Sequence, residues 1–174
     1  NAVVLGQYRT QGIKLGMKAI EAGRRSTLAD VMLFSALRDR LGFSRVRSAA
    51  TGGSAMGPET FKLFLAMGVP LKQLYGQTET LGAYTLQTGE DLDVDTVGPP
   101  FQGCEVTILN PDSEGVGEIV TRHENMFTGY FRNEEGTKAD LRDGWMHTGD
   151  AGFFDAKGRL VVIDRLKDIA ETAS

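Results

Sequence analysis

The segment Tyr75–Thr80 brings together residue types that could bind a nucleotide. It offers an aromatic face, a glycine that permits close backbone approach, two hydroxyls and a carboxylate on one predicted turn. Hydroxyls suit phosphate oxygens, and Glu79 could bind Mg²⁺, a hard ion that prefers carboxylate, water and phosphate oxygens. Taken alone, the segment is better interpreted as a capped surface turn with Tyr75 packed in a core, because short motifs match by chance.

A glycine-rich segment with the sequence Gly52-Gly53-Ser54-Ala55 precedes a predicted helix. Glycines before a helix can bring the backbone close to a ligand, but they also serve ordinary tight turns. The segment lacks the lysine and the spacing of a P-loop, which excludes a Walker-type phosphate site.

Asp150 and Arg165 are candidates for contacts with a nucleotide sugar. Asp150 follows a glycine, and a carboxylate commonly accepts hydrogen bonds from both ribose hydroxyls. Arg165 could direct its guanidinium at ribose or phosphate oxygens. The alternatives are an ordinary Gly-Asp turn and an exposed ion pair with Asp164, and we interpret the nearby Trp145 and His147 as packing residues.

The remaining nucleophile candidates lack suitable neighbours. Cys104 and His123 lie in predicted strands without a partner that would form a nucleophile and base pair, so we interpret both as structural. Ser54 is not part of a G-x-S-x-G motif. The sequence therefore argues against a hydrolase triad.

Composition narrows the partners and the compartment. The 174 residues carry 19 Lys and Arg against 23 Asp and Glu, a net charge of -4 with no basic block, which argues against a nucleic-acid partner. One cysteine allows no intrachain disulfide, and no Cys/His cluster has zinc-site spacing, so a reducing, cytoplasmic location is expected. No apolar run reaches the roughly 20 residues of a transmembrane helix. Peripheral contact with a membrane stays open.

The elements that must position these residues change in type along the chain. Thr27 is the predicted cap of a helix that runs to Gly42, and a second helix is expected from Pro58 to about Gly68. A short strand over 45–50 lies between them. After Pro99, strands are predicted over 104–109, 117–121 and 159–163.

The predicted fold class is therefore α/β, with an α/β layered region followed by a β-barrel-like region. We expect an α/β part over 1–98, a mainly β subdomain over 99–165 and the start of a hinge over 166–174. The chain is expected to be a fragment, because it lacks an initiator Met and stops directly after a motif-rich stretch.

Taken in order, these segments resemble the adenylate-forming superfamily, which contains acyl-CoA synthetases, luciferases and peptide-synthetase adenylation domains. Five segments resemble, in the order of the chain, the family's adenine loop, its tyrosine-glycine-threonine-glutamate motif, the strand and loop before its ribose motif, the ribose motif itself and its hinge. They are Thr51–Ala55, Tyr75–Thr80, Gly117–Ile119 with Gly129–Phe131, Thr148–Asp150 and Asp164–Asp168. Five matches in register are far less expected by chance than any one of them.

The resemblance implies roles for individual residues. Tyr75 would stack on adenine, Thr78 would contact the α-phosphate, and Glu79 would bind Mg²⁺, so that Thr78 and Glu79 would be catalytic. Asp150 would hold the ribose hydroxyls, and Arg165 would reach ribose or phosphate. The other residues implied in ATP or AMP binding are Gly52, Gly53, Ser54, Ala55, Gly76 and Gln77.

By the same resemblance, the enzyme would be an ATP-dependent carboxylate-CoA ligase similar to fatty acyl-CoA synthetases. Its substrates would be ATP, a medium- or long-chain fatty acid and coenzyme A, and its cofactor Mg²⁺. The family's phosphate loop and C-terminal domain are expected outside this chain, so the fragment itself should be inactive. An adenylation domain that loads a carrier protein and a non-catalytic nucleotide or lipid-binding module are the alternatives.

Overall fold

The computed structural model describes residues 2–54, 56–89 and 92–172, which form two compact units that divide between Lys72 and Gln73. The helices are α1 (Ala2–Glu21), α2 (Thr27–Ala29), α3 (Ser35–Leu41), α4 (Pro58–Ala66), α5 (Glu134–Asp140) and α6 (Leu166–Thr172). A π-helical segment, Asp30–Phe34, joins α2 to α3, and Thr78–Thr80 form a 3-10 turn. The strands are β1 (Ala49–Thr51), β2 (Leu71–Gln77), β3 (Gly82–Leu86), β4 (Glu105–Leu109), β5 (Gly117–Arg122), β6 (Leu141–Arg142), β7 (Trp145–Phe154) and β8 (Leu160–Arg165).

In the first unit, the helix predicted before Gly42 is confirmed, but its predicted cap is wrong by one residue. Ser26 has an extended backbone, and its hydroxyl accepts a hydrogen bond from the Ala29 N–H at 3.2 Å. Thr27 is therefore already helical, because the cap is the last non-helical residue. Along this helix Phe34 is fully buried, whereas Val31 is 74% exposed.

Apolar packing and one arginine hold the first unit together. The helix predicted at Pro58 is confirmed as α4, whose Phe61 is fully buried. The Arg38 guanidinium donates to the Asp30 carboxylate and to the Met67 carbonyl, which joins the π-helical segment to the end of α4. The hydrogen bond from Arg38 lowers the pKa of Asp30 below its ordinary value.

The second unit is built around a curled antiparallel sheet in which β7 is the central strand. β7 pairs with β5 along one edge, and its other edge pairs first with β6 and then with β8, while β4 pairs with the far side of β5. The core contains Tyr84, Ile119 and Leu160, all fully buried. The predicted α/β fold class with a later β region is confirmed, and the limits at 98/99 and 165/166 remain predictions.

A hairpin formed by β2 and β3 carries the first candidate motif. Its register shifts between Tyr75 and Gly76. A Cβ on Gly76 would lie 2.0 Å from the Gly82 carbonyl oxygen, so the two strands approach too closely for any other residue. Tyr75, Gly76 and Gln77 therefore lie on a strand, and only Thr78–Thr80 form the turn that was predicted for all six residues.

Candidate functional site

Tyr75 and Asp150, which were predicted separately, are in direct contact. The Tyr75 hydroxyl donates a short hydrogen bond to Asp150 Oδ2, and Gln77 Nε2 lies 3.5 Å from the same oxygen. The Tyr75 ring packs edge-on against Tyr84, with centroids 5.2 Å apart. Burial and the adjacent Asp150 carboxylate raise the pKa of Tyr75, so its hydroxyl remains a donor at neutral pH.

Arg165 contacts the Asp150 carboxylate from the neighbouring strand β8. The ladder between β7 and β8 places Arg165 opposite Asp150, and Arg165 Nε lies 3.0 Å from Asp150 Oδ1. The Asp150 side chain is 11% exposed and that of Arg165 is 56% exposed. The buried carboxylate is therefore held from two sides, and the guanidinium remains accessible to a ligand.

A β-bulge directs the Asp150 side chain. On β7, the residues 148–150 stand opposite Ile119 alone, because the register with β5 shifts between Glu118 and Val120. Gly149 has φ of 70°, a left-handed conformation that favours glycine. Bulges of this kind are frequent beside active sites, where they change the direction of a side chain. Asp150 thus lies in a strand, and the alternative of an ordinary Gly-Asp turn is wrong.

Glu118 supports the bulge with its carboxylate. Glu118 Oε1 accepts from the Gly149 N–H at 3.3 Å, and Oε2 lies 3.0 Å from His147 Nδ1. The Thr148 hydroxyl donates to the Ile119 carbonyl at 2.7 Å and accepts from the Asp150 N–H at 3.1 Å. His147 is therefore more than a packing residue, because it orients a carboxylate next to the candidate site.

The turn Thr78–Thr80 is fixed by its own threonine and by a loop that follows β5. The Thr80 hydroxyl is buried and lies 2.8 Å from the Gln77 and Gly82 carbonyls. The Phe127 N–H donates to the Glu79 carbonyl at 2.8 Å, and His123 Nε2 lies 3.1 Å from the Thr80 carbonyl. His123 thus has the structural role that the sequence predicted.

A cavity of about 570 Å³ lies beside this turn. Its walls include Thr78 and Glu79 at one side and Thr148, Gly149 and Arg165 at another. The Tyr130 hydroxyl also borders it and lies 2.8 Å from both Glu79 Oε1 and Asp140 Oδ2. Four of the predicted residues, Gln77, Thr78, Glu79 and Arg165, therefore line this cavity. Tyr75 and Asp150 do not line it, but Asp150 contacts both Gln77 and Arg165.

The donors at this cavity fit Mg²⁺ when a phosphate ligand is also present. Within the described ranges, no group of three or more His, Cys, Asp or Glu side chains could hold a metal by itself. Mg²⁺ does not need such a group, since one or two carboxylates, water and substrate phosphates complete its coordination. The described hydrogen bonds engage Glu79 only through Oε1, which leaves Oε2 for a cation.

The glycine-rich segment belongs to the first unit. Gly52, Gly53 and Ser54 are exposed, and Ala55 lies outside the described residues. The loop lies after β1 and before α4, in the predicted order, but the strand predicted over 45–50 is wrong in its bounds, since β1 spans Ala49–Thr51. Contact of the loop with a nucleotide remains a prediction.

Sequence reasoning assigned no role to Tyr130, Asp140 or Glu118. In the sequence, Tyr130 and Glu118 stand out only as members of the family-like segments Gly129–Phe131 and Gly117–Ile119. No pattern in the sequence indicates a role for Asp140. A signal that could have placed Asp140 is the start of α5, the helix that ends at Asp140. Asn133 caps this helix, and two glutamates lie in its first turn. No sequence pattern indicates that the Tyr130 hydroxyl contacts Glu79, because 51 residues separate the two.

Across the described part of the chain, no helix has both the length and the apolar character needed to cross a bilayer.

Comparison with known proteins agrees with the motif order. The family described as AMP-binding enzyme matches residues 18–131. The long-chain-fatty-acid–CoA ligase ACSBG2 of Gallus gallus is 33% identical over 147 residues, which are 84% of this chain and 19% of that protein. The fatty acyl-CoA synthetase A of Dictyostelium discoideum is 34% identical over 169 residues, covering 91% of this chain and 25% of that protein.

A solved structure shares the fold. The o-succinylbenzoate coenzyme A synthetase of Bacillus subtilis, in complex with ATP and a magnesium ion, aligns with a TM-score of 0.62 and 28% identity. The alignment covers 77% of this chain and 30% of that one. The chain thus spans between about a fifth and a third of these proteins. The chain belongs to the AMP-binding enzyme family of adenylate-forming ligases.

Proposed function

We propose that the protein is an AMP-forming, ATP-dependent carboxylate-CoA ligase that acts on medium- or long-chain fatty acids. The observation that carries the proposal is the cluster of Tyr75, Asp150 and Arg165 beside the Thr78–Thr80 turn. The names of the fatty acyl-CoA ligases among its relatives support the acid class.

The nucleotide is bound by residues with separate tasks. Tyr75 offers its ring to adenine, beside Gly76. Asp150 accepts hydrogen bonds from the ribose hydroxyls, because its carboxylate is already held in one orientation by Tyr75 and Arg165.

In the first step, a carboxylate oxygen of the fatty acid attacks the α-phosphorus of ATP. The new P–O bond forms as the bond to the bridging oxygen breaks, which gives acyl-AMP and pyrophosphate. The Thr78 hydroxyl donates to an α-phosphate oxygen. Glu79 would hold Mg²⁺, which would supply positive charge against the phosphates. No protein nucleophile takes part, in agreement with the missing triad.

In the second step, the coenzyme A thiol loses its proton to solvent, and its sulfur attacks the acyl carbonyl of acyl-AMP. The C–S bond forms, the bond from the acyl carbon to the phosphate oxygen breaks, and AMP leaves. Asp150 and Arg165 retain the ribose during both steps, so acyl-AMP stays bound from the first step to the second.

Exchange of labelled pyrophosphate into ATP by the full-length protein tests the proposal. We expect exchange that depends on a fatty acid of medium or long chain. Fatty, aryl and amino acids are compared at equal concentration. Exchange with amino acids alone would favour the carrier-loading alternative, and a folded protein that exchanges with no acid would favour the non-catalytic binding module.

A further inference from the structure

The Glu79 side chain can rotate about more bonds than the binding of a cation in one orientation requires. It extends from a 3-10 turn of only three residues, and a glutamate has three rotatable side-chain bonds. A carboxylate that must meet a cation in one orientation needs a partner that fixes that orientation. The contacts around Thr78–Thr80 supply such a partner.

The Tyr130 hydroxyl is the group that fixes it. Its oxygen lies 2.8 Å from Glu79 Oε1. The Tyr130 ring packs edge-on against Phe127, with centroids 5.0 Å apart, and the Tyr130 N–H donates to the Thr137 hydroxyl at 2.8 Å. Since the Phe127 N–H also holds the Glu79 carbonyl, one loop fixes both the backbone and the carboxylate of Glu79.

Asp140 gives the phenol a second acceptor. Asp140 Oδ2 also lies 2.8 Å from the Tyr130 hydroxyl, but a phenol has one proton and can donate to one carboxylate at a time. Burial and both carboxylates raise the pKa of Tyr130, so it keeps that proton at neutral pH. Glu79 and Asp140 therefore share one phenolic donor, whose oxygen lies at the same distance from both carboxylates.

We propose that Tyr130 is a positioning residue that orients Glu79 for a divalent cation, and that Asp140 holds the Tyr130 hydroxyl beside Glu79. The inference rests on the proposed function, because it takes Glu79 as the metal ligand. The assignment of Glu79 as a metal ligand does not require Tyr130 or Asp140. The inference adds a hydroxyl, that of Tyr130, which lies between the Glu79 and Asp140 carboxylates.

The test measures metal binding directly in the full-length protein. Mn²⁺ replaces Mg²⁺, and electron paramagnetic resonance gives its Kd in the presence of an ATP analogue with a methylene bridge between the α- and β-phosphates. Tyr130→Phe removes only the hydroxyl and should raise this Kd about tenfold, the lower end of what loss of an outer partner costs. Tyr8→Phe, which removes an exposed hydroxyl in α1, is the matched control and should leave it within about twofold.

Two further variants separate the outcomes. Glu79→Gln should raise the Kd more than Tyr130→Phe, and Asp140→Asn, which keeps an oxygen acceptor but loses the charge, should raise it less, by about threefold. The Mg²⁺ concentration that gives half-maximal pyrophosphate exchange should shift in the same order, while the KM for the fatty acid stays constant.

If Glu79→Gln weakens Mn²⁺ binding and Tyr130→Phe does not, the positioning role is wrong and the proposed function stands. If neither changes the Kd, the assignment of Glu79 as metal ligand is wrong, and this inference fails with it. Should Tyr130→Phe not fold, Asp140→Asn decides, and an unchanged Kd in that variant overturns the inference.

Discussion

The two units bury different kinds of side chain. In the first unit the buried side chains are apolar, with Phe34 and Phe61 fully enclosed, whereas every buried polar or charged side chain among the described residues lies in the second unit. Burying polar groups costs free energy unless each has a hydrogen-bond partner. The second unit provides partners for these buried side chains except Thr85, whose hydroxyl has none among the described residues. The comparison teaches that the second unit adds buried donors and acceptors to an apolar core that contains Ile119 and Leu160, whereas the buried side chains described in the first unit are apolar.

The largest expected effect is a loss of folding stability in the first unit. Phe34→Ala should lower the free energy of unfolding by about 4 kcal/mol, because it removes a fully buried ring and leaves a cavity. Val31→Ala, in the same helical segment but 74% exposed, is the control and should cost less than about 0.5 kcal/mol. Urea unfolding of the chain measures both. Equal losses from the two variants would contradict the apolar core described for this unit.

The next effect falls on chemistry in the second unit. Glu79→Ala in the full-length protein should lower the adenylation rate by roughly a hundredfold, because phosphate charge is no longer neutralised through this carboxylate. Steady-state kinetics with Mg²⁺ and ATP varied independently measure the change. Glu114→Ala, in an exposed turn of the same unit, should leave the rate unchanged. An unaltered rate and Mg²⁺ dependence for Glu79→Ala would return Tyr75–Thr80 to its interpretation as a capped turn.

The smallest of the three effects concerns ground-state binding. Asp150→Ala should raise the apparent KM for ATP about tenfold, because ribose hydrogen bonds exist in both the ground and transition states. Asp95→Ala, an exposed aspartate of the same unit, is the control. A fall in kcat at unchanged KM would show that Asp150 acts on the reaction rather than on nucleotide binding, and would weaken the contrast between Glu79 and Asp150.

Local signals predicted the elements well where they were strong. Pro58 and Glu59 at the start of α4, and the turn Asp155–Gly158 before β8, gave positions close to those observed. α1 was not predicted, because its polar and small residues give little apolar periodicity, and α5 was missed because Gly136 lies inside it. The sequence therefore predicts the elements whose ends carry a proline, a cap or a turn motif. It does not predict elements that lack a clear apolar period or that contain a glycine.

The candidate site likewise has a part that the sequence predicts, the residue identities, and a part that it does not, the contacts between them. Residue type and spacing were enough to select Tyr75, Glu79, Asp150 and Arg165 as candidates. Their mutual contacts depend on strand register, since Tyr75 and Asp150 are 75 residues apart. Partners such as Tyr130 follow from the path of a loop, for which no periodic pattern exists. Sequence thus indicated which groups matter, and tertiary structure indicates which groups hold them.

The central position of β7 has a thermodynamic consequence. Its bulge is held by β5, its opposite edge by β8, and its carboxylate by Tyr75 on β2, so the Asp150 contacts exist only when all these strands are paired. A nucleotide that binds this arrangement and not the unpaired chain is linked to folding by mass action. Nucleotide binding and the cooperative pairing of this sheet are therefore one coupled equilibrium, in which each favours the other.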